Sequence, residues 1–152
     1  MDRLLMFIAT GAYSGYLPKA PGTWGSAVGV LLWLLLCRLQ PASYWSVVGA
    51  LFVIGVFSAG AAEKIVDRGD PGLVVIDEIV GQLIALSLAP AHPAAVFAGF
   101  ALFRLFDILK PFPVGWIDQH LHGGLGIMLD DVVAGLYALA VLQLGLWLVR
   151  MS

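Results

Sequence analysis

Charged side chains are scarce in this sequence, and those present are grouped. Two short motifs, IDEIVG (Ile76–Gly81) and MLDDVVAG (Met128–Gly135), each set two adjacent carboxylates at the start of an apolar run. Acids near a helix N-terminus gain roughly 0.3–1 kcal/mol from the helix dipole, which accounts better for one acid per helix than for two side by side. Adjacent carboxylates repel unless a cation lies between them or one is protonated. Two such pairs facing each other would form a hard, oxygen-rich site suited to Mg²⁺. Asp77, Glu78, Asp130 and Asp131 are therefore candidate metal ligands and catalytic residues.

A third constellation is Arg104-x2-Asp107-x2-Lys110. A spacing of three puts neighbours on one side of a helix, within reach of one another. On a functional reading Asp107 faces the metal, while Arg104 and Lys110 hold phosphate oxygens, Arg as a fork and Lys as a point charge. On a structural reading the same residues form a solvated interfacial face with a snorkelling lysine. Lys19, Gly22, Thr23 and Ser26 lie in LPKAPGTWGS (Leu17–Ser26), a Pro- and Gly-containing loop that opens a helix. Thr23 or Ser26 is the expected N-cap, and free N–H groups there can hold an anion, although the Walker spacing is absent and a simple capped loop explains as much. His122 precedes a loop of Gly123, Gly124 and Gly126. It could bind phosphate, shuttle a proton or hold the loop by a hydrogen bond.

The rest of the chain must position these groups, and its composition says how. Hydrophobic residues make up 61% of the 152 residues and charged ones 12%, against roughly 45–50% and 25% in a soluble domain. Eight Lys/Arg and ten Asp/Glu could hardly cover a water-facing surface. The expected fold is an all-α, polytopic membrane bundle formed as one domain over 1–152, with short or re-entrant helices. A net charge of −2 supplies no field for nucleic acid. Cys37 is the single cysteine, which excludes an intramolecular disulfide.

Trp45–Ala62 and Val132–Val149 are each uncharged over 18 residues and read as spanning helices. The apolar run after Trp24 is shorter. Gly25/Gly29 and Gly55/Ala59 form small-x3-small pairs that permit a homo-oligomer without requiring one. Gly69-Asp70-Pro71-Gly72 reads as a turn. Ile79–Phe103 lacks Asp, Glu, Lys and Arg and is broken by Pro90-Ala91-His92-Pro93. It is either one kinked span or a hairpin, and the paired prolines favour the turn. A hairpin puts Asp77/Glu78 and Arg104/Asp107 at one membrane face, with Arg3, Lys19, Lys64, Arg68 and Lys110 beside them and only Arg38 and Arg150 opposite. The positive-inside rule makes that face cytoplasmic.

Taken in order, PGTWGS (Pro21–Ser26), IDEIVG, FRLFDILKPFP (Phe103–Pro113) and HGGLGIMLDDVVAG (His122–Gly135) closely resemble the phosphatidylglycerophosphatase A family. The resemblance implies a Mg²⁺-dependent enzyme of the bacterial inner membrane. Its substrate would be the lipid phosphatidylglycerophosphate, converted to phosphatidylglycerol and phosphate, with membrane lipids around it. It carries over Gly22, Thr23, Asp77, Glu78, Arg104, Asp107, Lys110, Asp118, His122, Asp130 and Asp131; the role of Lys19 rests on the local reading alone. The expected nucleophile is a metal-activated water, with Asp107 through an aspartyl-phosphate as the alternative. Two rivals are a cation transporter or channel lined by the acids, which should then lie at mid-membrane, and an assembly protein whose charges only anchor it.

Overall fold

The computed structural model describes residues 2–69 and 71–151, and among them every regular element is helical. Seven α-helices follow in order: α1 (Asp2–Ala9), α2 (Pro21–Leu36), α3 (Pro41–Val66), α4 (Ile76–Leu86), α5 (Pro93–Leu109), α6 (Val114–His120) and α7 (Gly123–Met151). Asp70, in the turn expected at 69–72, lies outside the described residues.

Prolines punctuate this order. Pro21, Pro41 and Pro93 each occupy the first turn of a helix, where no N–H is needed and the fixed φ suits the helix. His92 caps α5, its Nδ1 accepting the Ala94 N–H at 3.3 Å. Pro111 follows the left-handed Lys110 (φ 44°) and ends α5.

Helices α3 and α7, of 26 and 29 residues, are about 39 and 44 Å long. Both are long and apolar enough to cross a membrane. Helix α4 is the opposite case. It has 11 residues, ten of them buried, and α2, α3, α5 and α7 all pack around it. Large side chains such as Leu35, Phe57, Phe97 and Val149 are more than two-thirds exposed on the outer helices, so the apolar surface faces outward as well as inward.

Glycines set the distances to α4. A Cβ on Gly25 would meet Val75, on Gly29 it would meet Gln82, and on Gly135 it would meet the Gly81 carbonyl. Gly55 abuts Met128, and Ala59 is fully buried. Both small-x3-small pairs are thus used within the chain, not on a lipid-facing surface as their spacing alone suggests.

The segment after Ile79 turns back on itself. Gly81 lies against Phe103, and Gly99 against Leu86, so α4 and α5 are antiparallel arms joined by residues 87–92. Asp77, Glu78, Arg104 and Asp107 therefore share one end of the bundle.

Two expected boundaries shift. Helix α2 starts at Pro21 behind a left-handed Ala20 (φ 51°), with no side-chain cap. Ser26 lies inside the helix and donates to the Gly22 carbonyl at 2.8 Å, and Thr23 is in the first turn. Helix α7 starts at Gly123, where a glycine loop was expected. Gly124 packs against the backbone of α3 at Val56 and Gly60, and Gly126 against the Leu121 carbonyl. These glycines serve close approach, so Asp130 and Asp131 sit about two turns inside the helix, beyond the reach of its N-terminal dipole.

Candidate active site

At the shared end of the bundle, α4 and α7 cross through Gly81 and Gly135. Asp77 lies four residues before the first glycine, and Asp131 four before the second. One helical turn separates each acid from the crossing, which brings the two carboxylates together. Glu78 completes the group: oxygens of Asp77, Glu78 and Asp131 lie within 4.8 Å of one another. Asp77 and Asp131 are 8% and 2% exposed, so the cluster is largely closed to bulk water. Glu78 Oε2 and Asp131 Oδ2 are buried without a hydrogen-bond partner among the described residues.

Helix α5 supplies the fourth acid and the counter-charge. Asp107 is ion-paired with Arg104 one turn earlier on α5. Arg104 Nη1 also lies 3.9 Å from Glu78 Oε1 and donates to Ser26 Oγ at 3.4 Å. Burial, the largest influence, pushes the Glu78 carboxyl up to about 8. A hydrogen bond with Asp77 opposes it, Asp131 and Asp107 add to it, and Arg104 opposes it.

Helix α2 forms the roof. A Cβ on Gly22 would collide with Glu78 Oε1 and with both terminal nitrogens of Arg104. Only glycine lets the first turn of α2 come this close to the acid–arginine pair. Thr23 is exposed, and its N–H donates to the Ala20 carbonyl at 2.9 Å. Lys19 is exposed in the loop before α2 with φ 62°.

Asp130 and Lys110 depart from the expected arrangement. Successive residues on a helix point about 100° apart, so Asp130 turns away from the cluster that Asp131 joins. Its Oδ2 accepts from Lys110 Nζ at 2.8 Å. Lys110 also donates to Asp118 on α6. Its left-handed backbone ends the helix, so it leaves the face shared by Arg104 and Asp107. Burial by itself would lower the Lys110 ammonium, but its bonds to Asp118 and Asp130 outweigh this and raise it. Beside this bridge is a separate cavity of about 240 Å³, lined by Glu63, Asp118, His122 and Asp130 among others. His122 is exposed at its edge.

The site thus divides in two: Asp77, Glu78, Asp107, Asp131, Arg104 and Gly22 on one face of α7, and Lys110, Asp118, Asp130 and His122 on the other. Sequence reasoning gave Ser26 only a capping role and did not bring Glu63 to the site. The available signal for Ser26 was its spacing of four from Gly22, which puts both on one helix face. Nothing local marked Glu63, because α3 and α7 meet only in the fold.

Comparison with known proteins adds an independent line. The family described as Phosphatidylglycerophosphatase A matches residues 7–146. A Haemophilus influenzae protein named phosphatidylglycerophosphatase A is 41% identical over 136 residues, covering 88% of this chain and 83% of its own. The Escherichia coli K12 protein of the same name is 39% identical over 136 residues, covering 89% and 79%. A Bacteroides thetaiotaomicron protein with the provisional name phosphatidylinositol-3-phosphatase is 38% identical over 155 residues, covering 96% of each chain. No solved structure matches the chain.

Proposed function

The chain belongs to the phosphatidylglycerophosphatase A family, and from that membership we propose how it dephosphorylates phosphatidylglycerophosphate to phosphatidylglycerol. The observation that carries the site assignment is the meeting of three carboxylates from α4 and α7 under Arg104. Their chemistry fits a hard divalent cation: every donor is oxygen, and two buried carboxylate oxygens have no hydrogen-bond partner among the described residues. Asp77, Glu78 and Asp131 would hold Mg²⁺, with Asp107 adjoining. Bound there, the ion would supply charge neutralisation and polarisation of a phosphoryl oxygen.

The chain's own residues do the remainder. Arg104 receives the phosphate monoester and neutralises charge that develops on its oxygens. Asp107 holds the Arg104 guanidinium in place through their ion pair. Gly22 brings the positive end of the α2 dipole to the same point. Water attacks phosphorus, the bond to the lipid oxygen breaks, and the water proton ends on the departing lipid alkoxide. We read water as the nucleophile because Asp107 is already engaged by Arg104. Lys110, Asp118, Asp130 and His122 lie on the other face of α7, where Lys110 bridges the two aspartates.

Position in the bilayer follows from helix lengths. The 29 residues of α7 exceed a ~30 Å hydrocarbon core by about 14 Å. The stretch from Gly123 to Asp131 takes up about 12 Å of that excess, which leaves the acids at the interface, not at mid-membrane as a channel would need. Lys19, Lys64, Arg68, Arg104 and Lys110 belong to the site end, Arg38 and Arg150 to the other. That asymmetry supports a multi-pass protein with its site facing the cytoplasm.

The test is phosphate release by purified protein from phosphatidylglycerophosphate, with Mg²⁺ or with EDTA. Release should require Mg²⁺ and fall at least a hundredfold in folded Asp77→Asn and Asp131→Asn. Full activity of both variants would remove the metal from this cluster. The Bacteroides relative motivates a second substrate arm with phosphatidylinositol 3-phosphate; faster release from that lipid would change the substrate while leaving the site intact.

A further inference from the structure

The bundle carries two long apolar furrows, one on each side of α5. The first, an open groove of about 590 Å³ between α2 and α5, runs from Ala27 and Phe100 to Leu34 and Pro93. The second, an open groove of about 540 Å³ between α5 and α7, reaches from Leu102 to Val149. The glycines explain the first. Gly25 and Gly29 press α2 onto α4, and Gly99 presses α5 onto α4. With α4 between them, the outer sides of α2 and α5 cannot close.

The furrows differ at the end nearest the acids. Ala27 follows Ser26 directly, and Phe100 lies one turn before Arg104. Ser26 and Arg104 are themselves in contact across the top. The α5 wall of the α2–α5 furrow therefore ends at Phe100, one turn below Arg104 on the same side of the helix. The α5–α7 furrow is blocked there, because Phe103 is fully buried against Ala134 and Ala138, and the Phe106 and Tyr137 rings meet at 5.6 Å.

We propose that the α2–α5 furrow seats an acyl chain of the lipid whose phosphate monoester lies at Arg104. This rests on the phosphatase reading above and extends it from the headgroup to the hydrophobic part of the substrate. A positive group at the mouth and a continuous apolar track below it match an amphiphile with an anionic head. The eight residues Ala27–Leu34 give that track a length of about 10 Å, so the lipid enters sideways while the remainder of the chain stays in the bilayer.

The full-length protein is assayed on a long-chain phosphatidylglycerophosphate and on a water-soluble analogue with four-carbon chains. Ala27→Trp, which fills the upper furrow, should lower kcat/KM for the long-chain lipid tenfold or more and for the short analogue by less than threefold. Val141→Trp, in the blocked furrow, should change neither by more than twofold. An equal fall for both substrates in Ala27→Trp, or none for either, would overturn the proposal. Wild-type protein that releases phosphate from neither substrate would instead overturn the phosphatase reading. Labelling of unmodified protein then decides the furrow independently of turnover. A lipid phosphate monoester with a photoreactive acyl chain should mark residues 27–34 and 93–100, with competition by unlabelled monoester but not by neutral diacyl lipid. Equal labelling of 141–149, or no such competition, would sink the proposal.

Discussion

Glu78 sits in the first turn of α4 with its carboxyl pushed up to about 8, chiefly by burial. A group whose folded value lies above its ordinary 4.5 contributes stability that is complete below that ordinary value and lost as pH rises through about 8. Metal-free protein in EDTA should therefore melt at a higher temperature at pH 5 than at pH 9. Glu78→Gln should reduce the difference, and Mg²⁺ should restore melting temperature on the alkaline side, since a ligand that binds only the folded state stabilises it. Circular dichroism in detergent measures all three. A melting temperature that rises from pH 5 to pH 9 in EDTA would contradict this account. Lys110 shows the other residue-level lesson. Its ammonium bridges Asp118 and Asp130, so the acid beside Asp131 has a counter-charge of its own on the other face of α7.

Helices α4 and α7 depend on contact between two glycines. A Cβ on Gly81 would lie 2.7 Å from the Asp131 carbonyl, too near for either backbone to stay in place. Gly81→Ala should destabilise by about 1–3 kcal/mol as an overpacked contact and should separate Asp77 from Asp131, lowering phosphatase activity more than stability. Gly145 provides the contrast within the same helix α7, because nothing lies within 4 Å of a Cβ there. Gly145→Ala should be neutral or gain up to about 1 kcal/mol. Denaturation midpoints together with phosphate release would check both. At this scale much was legible in the sequence. Uncharged runs marked α3 and the later part of α7, paired prolines marked the turn before α5, and IDEIVG and Arg104-x2-Asp107 marked the acids that meet. The early start of α7 was hidden because Gly123, Gly124 and Gly126 have the composition of a loop, and only the backbone of α3 explains them as packing residues. The separation of Asp130 from Asp131 was hidden for the same reason, since it follows from a helix already running at that point.

For the whole molecule, the proposed orientation in the membrane implies opposite ends with different access. Arg68 lies beyond the end of α3 near the acids, and Leu39 lies between α2 and α3 at the far end; both are exposed. The sole cysteine, Cys37, can be replaced by serine. In that background Leu39→Cys should react with a membrane-impermeant maleimide in intact spheroplasts, and Arg68→Cys only after permeabilisation. Reaction of both in intact spheroplasts would reject the two-sided topology, and the reverse pattern would invert it.

The pairing of Asp77 with Asp131 also has a consequence in time. Fifty-four positions separate them along the chain (131 − 77). At roughly 5–20 residues per second of synthesis, about 3–11 seconds pass between the emergence of one and the other. During that interval α4 has no α7 to cover it, and at about 16 Å it is too short to hold itself across a bilayer. On the proposed site, the nascent protein would be catalytically silent until its last long helix arrives. Arrival of that helix both encloses α4 and completes the carboxylate cluster, so on the proposed function insertion and activation would be a single event.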